Sequence, residues 1–167
     1  MKYESNTLTQ EQLKTLKSLI EVALVNPNNP KLGRVDEYSA SSTFFRPKYN
    51  KDLVEFINGI TGRKSQNINS FFYIIYSEGD KLPRHRDRSN HDILKNPEHS
   101  ISYSFLINMC EEGGEFLLDD ELIDFSTPGQ YVSFDGYEIF HEIKEVKKGK
   151  REVLIIWYRP EVLQTLL

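Results

Sequence analysis

Two of the chain's four histidines, His85 and His141, stand where they could ligate a metal. His85-Arg86-Asp87 sets an imidazole and a carboxylate two residues apart, which on an extended strand sends both side chains to one face. His141 follows the aromatic segment 134–140 and opens another alternating stretch (His141, Ile143, Val146), so a folded barrel brings it across to the first pair. Two imidazoles and one carboxylate on one face of a metal leave the opposite positions open, the facial arrangement of non-haem Fe(II) centres. Those open positions would take a cosubstrate and dioxygen. By itself a His-x-Asp pair is more often a surface feature or a structural histidine, so its surroundings matter.

Tyr76 lies nine residues before His85, and Arg151 lies ten after His141. Arg84, Arg86 and Arg88 interleave with the first ligand pair. They read as a solvated charged edge, with capture of a substrate carboxylate as the functional alternative. His91 and His99 flank a loop over 89–98 and read as solvated loop histidines, the alternative being a substrate lid. Cys110 has no His or basic neighbour in sequence that would mark it as a nucleophile, and reads as a structural thiol.

The 167 residues suit one domain with a single sizeable core. No apolar run approaches the roughly 20 residues of a membrane-spanning helix, so no membrane partner is expected. Met1 to Asn6 lack the apolar core of a secretory signal, and the single cysteine cannot form an intramolecular disulfide, so a reducing cytoplasm is the expected compartment. A net charge of -4 repels polyanions, and no nucleic-acid partner is expected.

Several elements must position these residues. Thr9 and Gln12 form a capping-box pattern, and Leu13, Leu16, Leu19, Ile20 and Leu24 recur at helical spacing up to Asn26-Pro27. A loop rich in Asn, Pro and Gly covers 26–33, and the stretch 35–45 contains a strand. Asn50 or Lys51 opens a second helix with Leu53, Val54, Phe56, Ile57 and Ile60 as its stripe and Gly62 near its end. From Asn67 onward the chain turns to short β-rich runs over 68–76, 81–87, 100–108, 115–118, 122–125, 130–134 and 151–158. Turn signals at Glu78-Gly79-Asp80, Gly113-Gly114 and Pro128-Gly129 bound them. The expected fold is mainly β with N-terminal helices, a double-stranded β-helix (jelly-roll) barrel flanked by two helices. One domain spans 1–167, with helical support over about 8–62 and the jelly-roll core over about 67–159.

Alternation sorts the faces of two strands. Ser100, Ser102, Ser104 and Leu106 share one face, and Ile101, Tyr103, Phe105 and Ile107 the other. If the apolar face meets the helices, the serine face points to a pocket or to water. In the last strand Arg151, Val153, Ile155 and Trp157 share a face, so Trp157 either lines the same cavity as Arg151 or belongs to plain core.

Four segments together resemble the prolyl 4-hydroxylase-like branch of the Fe(II)/2-oxoglutarate dioxygenases. They are Y-x-x-G-x-x-x-x-x-H-x-D at 76–87, G-G-E-F at 113–116, H-x-I-x-x-V-x-x-G-x-R at 141–151, and Trp157. The likeness runs from about residue 68 to 158 and covers the first third of the chain only loosely. It implies Fe(II) held by His85, Asp87 and His141, with 2-oxoglutarate and O2 as cosubstrates and ascorbate as reductant. It implies Arg151 on the distal carboxylate of 2-oxoglutarate, a job suited to a permanently charged planar fork of donors. Tyr76 would donate its phenolic hydrogen bond to the cosubstrate, or else satisfy a buried carbonyl. The likeness also places the strand of Ser102 and Leu106 beside 2-oxoglutarate, making those two secondary candidates together with Trp157.

The activity implied is hydroxylation of an unactivated C–H bond. Asp87 leaves a halide no obvious vacancy on the iron, which disfavours halogenation. The substrate class implied is a peptidyl or free amino acid, with proline the default, including a partner protein regulated by hydroxylation. Two alternatives stand beside this: a nucleic-acid dealkylase of the same superfamily, disfavoured by the acidic total, and a non-catalytic metal- or sugar-binding module on a jelly roll.

Overall fold

The computed structural model describes residues 3–35, 40–87 and 101–159, the Val35 side chain excepted. Arg88, His91, His99 and Ser100 lie outside the described residues.

Helix α1 (Gln10–Leu24) starts where the sequence places it, because Thr9 Oγ1 accepts from the Gln12 backbone N–H at 3.1 Å and the Gln12 side chain accepts from Thr9 N at 2.9 Å. Its buried stripe is Leu13, Leu16, Ile20 and Ala23. Helix α2 (Lys51–Thr61) ends at Gly62, whose φ of 72° is left-handed and costs an L-residue energy that glycine avoids. Buried Asn29 and Asn50 exchange side-chain hydrogen bonds at 3.1 and 2.9 Å, joining the loop after α1 to the start of α2. No helix among the described residues is long and apolar enough to cross a membrane.

The strands are β1 (Tyr3–Thr7), β2 (Lys31–Val35), β3 (Ala40–Phe44), β4 (Ile68–Tyr76), β5 (Leu82–His85), β6 (Ile101–Asn108), β7 (Glu112–Gly113), β8 (Phe116–Leu118), β9 (Glu121–Leu122), β10 (Gln130–Asp135), β11 (His141–Ile143), β12 (Val146–Lys148) and β13 (Arg151–Tyr158). A seven-stranded sheet runs β1-β10-β6-β13-β4-β3-β2, and a four-stranded sheet runs β5-β11-β8-β9, with β12 and β7 as a separate pair. Every pairing among the described residues is antiparallel.

The seven-stranded sheet is covered on both faces. One face packs on the helices through Leu16, Ile20, Leu53, Ile57, Phe71, Phe105, Leu154 and Ile156. The other meets the smaller sheet through Leu106, Phe116, Phe125, Val132, Phe134, Ile143 and Val153. Alternation explains the division in β13, where Leu154, Ile156 and Tyr158 join the helix-side core and Val153 the inter-sheet core. This is a double-stranded β-helix flanked by two helices, the architecture expected from the sequence.

The N-terminal third differs in one respect, since it is not helical support alone. β1 and β2 form the two edges of the large sheet. β1 is polar and mostly exposed, so it has no apolar alternation to reveal it, and its strand form comes from pairing with β10. β2 begins within the stretch read as loop over 26–33 and runs to the start of the stretch read as strand, and pairs only with β3 among the described residues. Shorter differences follow the same logic: the strand expected over 81–87 stops at His85, and the one expected over 122–125 is Glu121–Leu122, just ahead of the buried core residues Ile123 and Phe125.

Candidate metal centre and adjoining cavity

β5 and β11 pair so that the Cα of His85 faces that of His141, bringing the two imidazoles to a centroid distance of 4.3 Å. Asp87 lies two residues beyond β5, where its backbone N–H donates to Gly136 O at 2.8 Å. Its Oδ1 sits 3.0 Å from His141 Nε2 and 3.3 Å from His85 Nε2. One ligand atom from each of the three residues falls within 4.8 Å of the others, so the sequence-predicted triad converges.

The imidazole tautomers suit a cation. His85 Nδ1 lies 2.7 Å from Pro83 O and His141 Nδ1 lies 2.9 Å from Ile139 O. A carbonyl can only accept, so each Nδ1 carries the hydrogen, and each Nε2 turned toward Asp87 is a lone pair in the neutral ring. A lone pair against a carboxylate oxygen at these distances is repulsive unless a proton or a metal ion is shared between them. In the metal-free protein a shared proton plays that part: burial pushes the Asp87 carboxyl up, but with the rings protonated the Nε2–H groups of His141 and His85, the His141 charge and the Trp157 indole N–H together hold it well below the usual carboxylate range. Two imidazole nitrogens and one carboxylate oxygen fit a divalent first-row metal, with backbone carbonyls behind the rings to orient them.

The triad opens on a cavity of about 240 Å³ whose walls include Tyr76, Ser102, Ser104, Phe134, Arg151 and Trp157. Arg151 is 1 % exposed, and no described residue accepts a hydrogen bond from its Nε or Nη1. Its guanidinium carbon lies 5.9 Å from the Tyr76 ring centroid and 5.4 Å from that of Phe125. Burial pushes its pKa down, with the Tyr76 and Cys110 groups opposing. A buried guanidinium with idle donors fits a ligand carboxylate, because desolvating the cation without an anion is costly. Gly114 keeps the space open, since a Cβ there would lie 2.6 Å from Cys110 Sγ and 3.3 Å from Arg151 Cδ.

Tyr76 is buried in this wall, and Ser102 lines it too while its hydroxyl donates to Phe134 O at 3.3 Å. Leu106 lies on the same strand face but packs in the inter-sheet core and does not line the cavity. Trp157 lines the cavity and does more than sequence alternation reveals: its Nε1–H donates to Asp87 Oδ2 at 3.0 Å. Arg84 makes a two-pronged pair with Asp120 at 2.8 and 3.1 Å and lies 3.9 Å over the Phe140 ring, with Arg86 4.5 Å over the same ring. Neither lines the cavity, which fits the charged-edge reading.

Two residues of the site escaped sequence reasoning. Asp80 is 2 % exposed; its carboxylate accepts from Ser77 N at 2.8 Å and pairs with Arg34, bracing the turn that links Tyr76 to β5. Gly136 backs directly onto Asp87, so that a Cβ there would collide with Asp87 Oδ2. The turn signal at Asp80 is visible in the sequence; nothing local marks Gly136.

No protein-family model matches the chain, and no curated protein matches it. Solved structures do. A viral collagen prolyl hydroxylase from Paramecium Bursaria Chlorella virus-1, in complex with 2-oxoglutarate, superposes with a TM-score of 0.69 at 18% identity over 96% of this chain and 97% of that one. A prolyl-4-hydroxylase from Pseudomonas putida gives 0.61 at 16% identity over 96% and 94%. A prolyl hydroxylase from Trichoplax adhaerens, in complex with a hypoxia inducible factor peptide fragment, gives 0.63 at 15% identity over 95% and 83%. The chain has the jelly-roll fold of these prolyl hydroxylases.

Proposed function

We propose that this chain is an Fe(II)- and 2-oxoglutarate-dependent dioxygenase that hydroxylates an unactivated C–H bond of a peptidyl or free amino acid, with proline the leading candidate. The observation that carries the reading is the presence, in one cavity, of a convergent His85-Asp87-His141 triad and a buried Arg151 whose Nε and Nη1 find no acceptor among the described residues. The 2-oxoglutarate bound to the viral neighbour and the peptide bound to the Trichoplax neighbour support the cosubstrate and the substrate class.

His85 Nε2, His141 Nε2 and Asp87 Oδ1 would hold the iron. Iron held there would let dioxygen oxidise both 2-oxoglutarate, to succinate and carbon dioxide, and the substrate C–H bond, to the alcohol, one oxygen atom going to each, with ascorbate keeping the metal reduced. Arg151 would orient the cosubstrate by clamping its distal carboxylate, and Tyr76, which lines the same cavity, would donate its phenolic hydrogen bond to the same molecule. Phe72, Ile74, Ile155 and Trp157 supply apolar wall that excludes bulk water. The protein's part is to bind, orient and keep dry; the redox chemistry is the metal's.

The test is succinate formation from 2-oxoglutarate by purified protein with Fe(II), ascorbate and air, across a panel of free amino acids and short peptides. Turnover is expected in the wild type, absent in His85→Ala, and shifted to higher 2-oxoglutarate concentration in Arg151→Ala. A wild-type protein that fails to bind 2-oxoglutarate when loaded with iron would leave a non-catalytic jelly-roll module as the better account.

A further inference from the structure

The carboxylate of Asp87 has two oxygens with different surroundings. Oδ1 faces both imidazole Nε2 atoms, at 3.0 and 3.3 Å. Oδ2 accepts the Trp157 indole N–H at 3.0 Å and lies against Gly136 closely enough that a Cβ there would collide with it. The Asp87 backbone is fixed as well, through its N–H to Gly136 O at 2.8 Å. Trp157 itself has little freedom, because its ring stands edge-on to Phe72 at 5.6 Å and its strand is paired on both sides.

We infer that Trp157 is a positioning residue: its indole N–H, with Gly136 behind, holds Asp87 to ligation through one oxygen. This rests on the metal reading above. The physical reason is competition for Oδ2. A carboxylate close to a divalent cation can chelate with both oxygens, but here a second Fe–O contact would require Oδ2 to leave a charge-assisted hydrogen bond in a half-buried setting. Chelation would also fill a coordination position that the cosubstrate or dioxygen needs. Sparing that position is the consequence of an indole donor 70 residues away in sequence. Trp157 thus acts through Asp87 in addition to lining the cavity.

The experiment separates the donor from the ring. Co(II) affinity and the Co(II) absorption spectrum are measured for wild type, Trp157→Phe (ring kept, donor lost) and Trp157→Gln (ring lost, N–H donor kept), with urea unfolding of each metal-free protein to confirm folding. Loss of a partner that orients a metal ligand typically costs 10–100-fold in affinity, so Trp157→Phe is expected to bind Co(II) about ten-fold more weakly or worse, with an altered ligand-field spectrum. Trp157→Gln is expected to lie closer to wild type. Wild-type affinity and spectrum in a folded Trp157→Phe, or a Phe variant nearer to wild type than Gln, would overturn the inference and leave Trp157 as wall. If neither Trp157 variant folds, Gly136→Ala presses on the same Oδ2 from the other side, and unchanged Co(II) binding there overturns it equally. A wild-type protein that takes up no Co(II), or takes it up as well after His141→Ala, removes the metal reading itself and the inference with it.

Discussion

Arg151 and Tyr76 are register partners on the adjacent strands β13 and β4, and the guanidinium carbon of the first lies 5.9 Å from the ring centroid of the second. Both residues line the cavity, and the aromatic faces of Tyr76 and Phe125, the latter 5.4 Å away, lie against the cation there. Aromatic faces return part of the desolvation cost of a guanidinium but not all of it. The ligand-free protein therefore carries an under-compensated buried charge, which a bound dicarboxylate would neutralise.

Replacing Arg151 with Met is accordingly expected to act in opposite directions on fold and function. The ligand-free protein gains about 1–2 kcal/mol in urea unfolding, because a buried ion is exchanged for an apolar chain of similar reach. The same variant loses the stabilisation by 2-oxoglutarate, which for wild type with Mn(II) should reach about 2.7 kcal/mol at one hundred times the Kd. A ligand-free Arg151→Met protein less stable than wild type by several kcal/mol would show that the guanidinium is structural.

Gly114 tests the same guanidinium from behind. Its φ of 70° is left-handed, and an added Cβ would meet Cys110 Sγ at 2.6 Å and Arg151 Cδ at 3.3 Å. Gly114→Ala should cost roughly 2–3 kcal/mol of stability from backbone strain and overpacking together. It should also weaken 2-oxoglutarate binding several-fold while leaving Co(II) uptake at the triad unchanged. Isothermal titration of each ligand separately reads the two effects, and equal losses of both would place the damage in the whole barrel.

The difference between what was legible in the sequence and what was not follows the range of the forces involved. Strand alternation is local, so β4, β6 and β13 and their two faces could be read from residue order, as could the capping box at Thr9 and the stop at Gly62. The triad was legible because His85 and Asp87 stand two residues apart and, with His141 and Arg151, fall in segments that together resemble a known dioxygenase pattern. Trp157 and Gly136 as partners of Asp87 were not, since both contacts depend on how distant elements come together after folding. Leu106 shows the limit of alternation from the other side: it shares a face with Ser102, but that face runs from the cavity wall into solid core. β1 was invisible because a polar edge strand takes its form from the neighbour it pairs with.

Tyr158 predicts the alkaline limb of stability. Burial pushes its phenol from 10 up to about 12, the Thr61 hydrogen bond and Arg63 opposing and Tyr103 adding to the rise. The hydroxyl also donates to Asn58 Oδ1 at 2.8 Å, linking β13 to α2. The folded state thus keeps a proton that the unfolded chain releases. Stability from this group is complete below pH 10, falls as pH rises, and is gone once pH passes the folded value near 12. The loss amounts to roughly 2.7 kcal/mol over that window. Tyr73 adds to the same limb, its phenol raised by burial and by the Glu152 carboxylate, so the slope is shared. Tyr158→Phe should be less stable than wild type by about 1 kcal/mol at neutral pH, where the hydrogen bond is missed. The gap should close and then reverse as pH climbs, because phenylalanine has no proton to lose. Urea unfolding at a series of pH values reads this directly; a gap that stays constant from neutral to alkaline pH would mean that Tyr158 ionises in the folded protein as readily as in the unfolded chain.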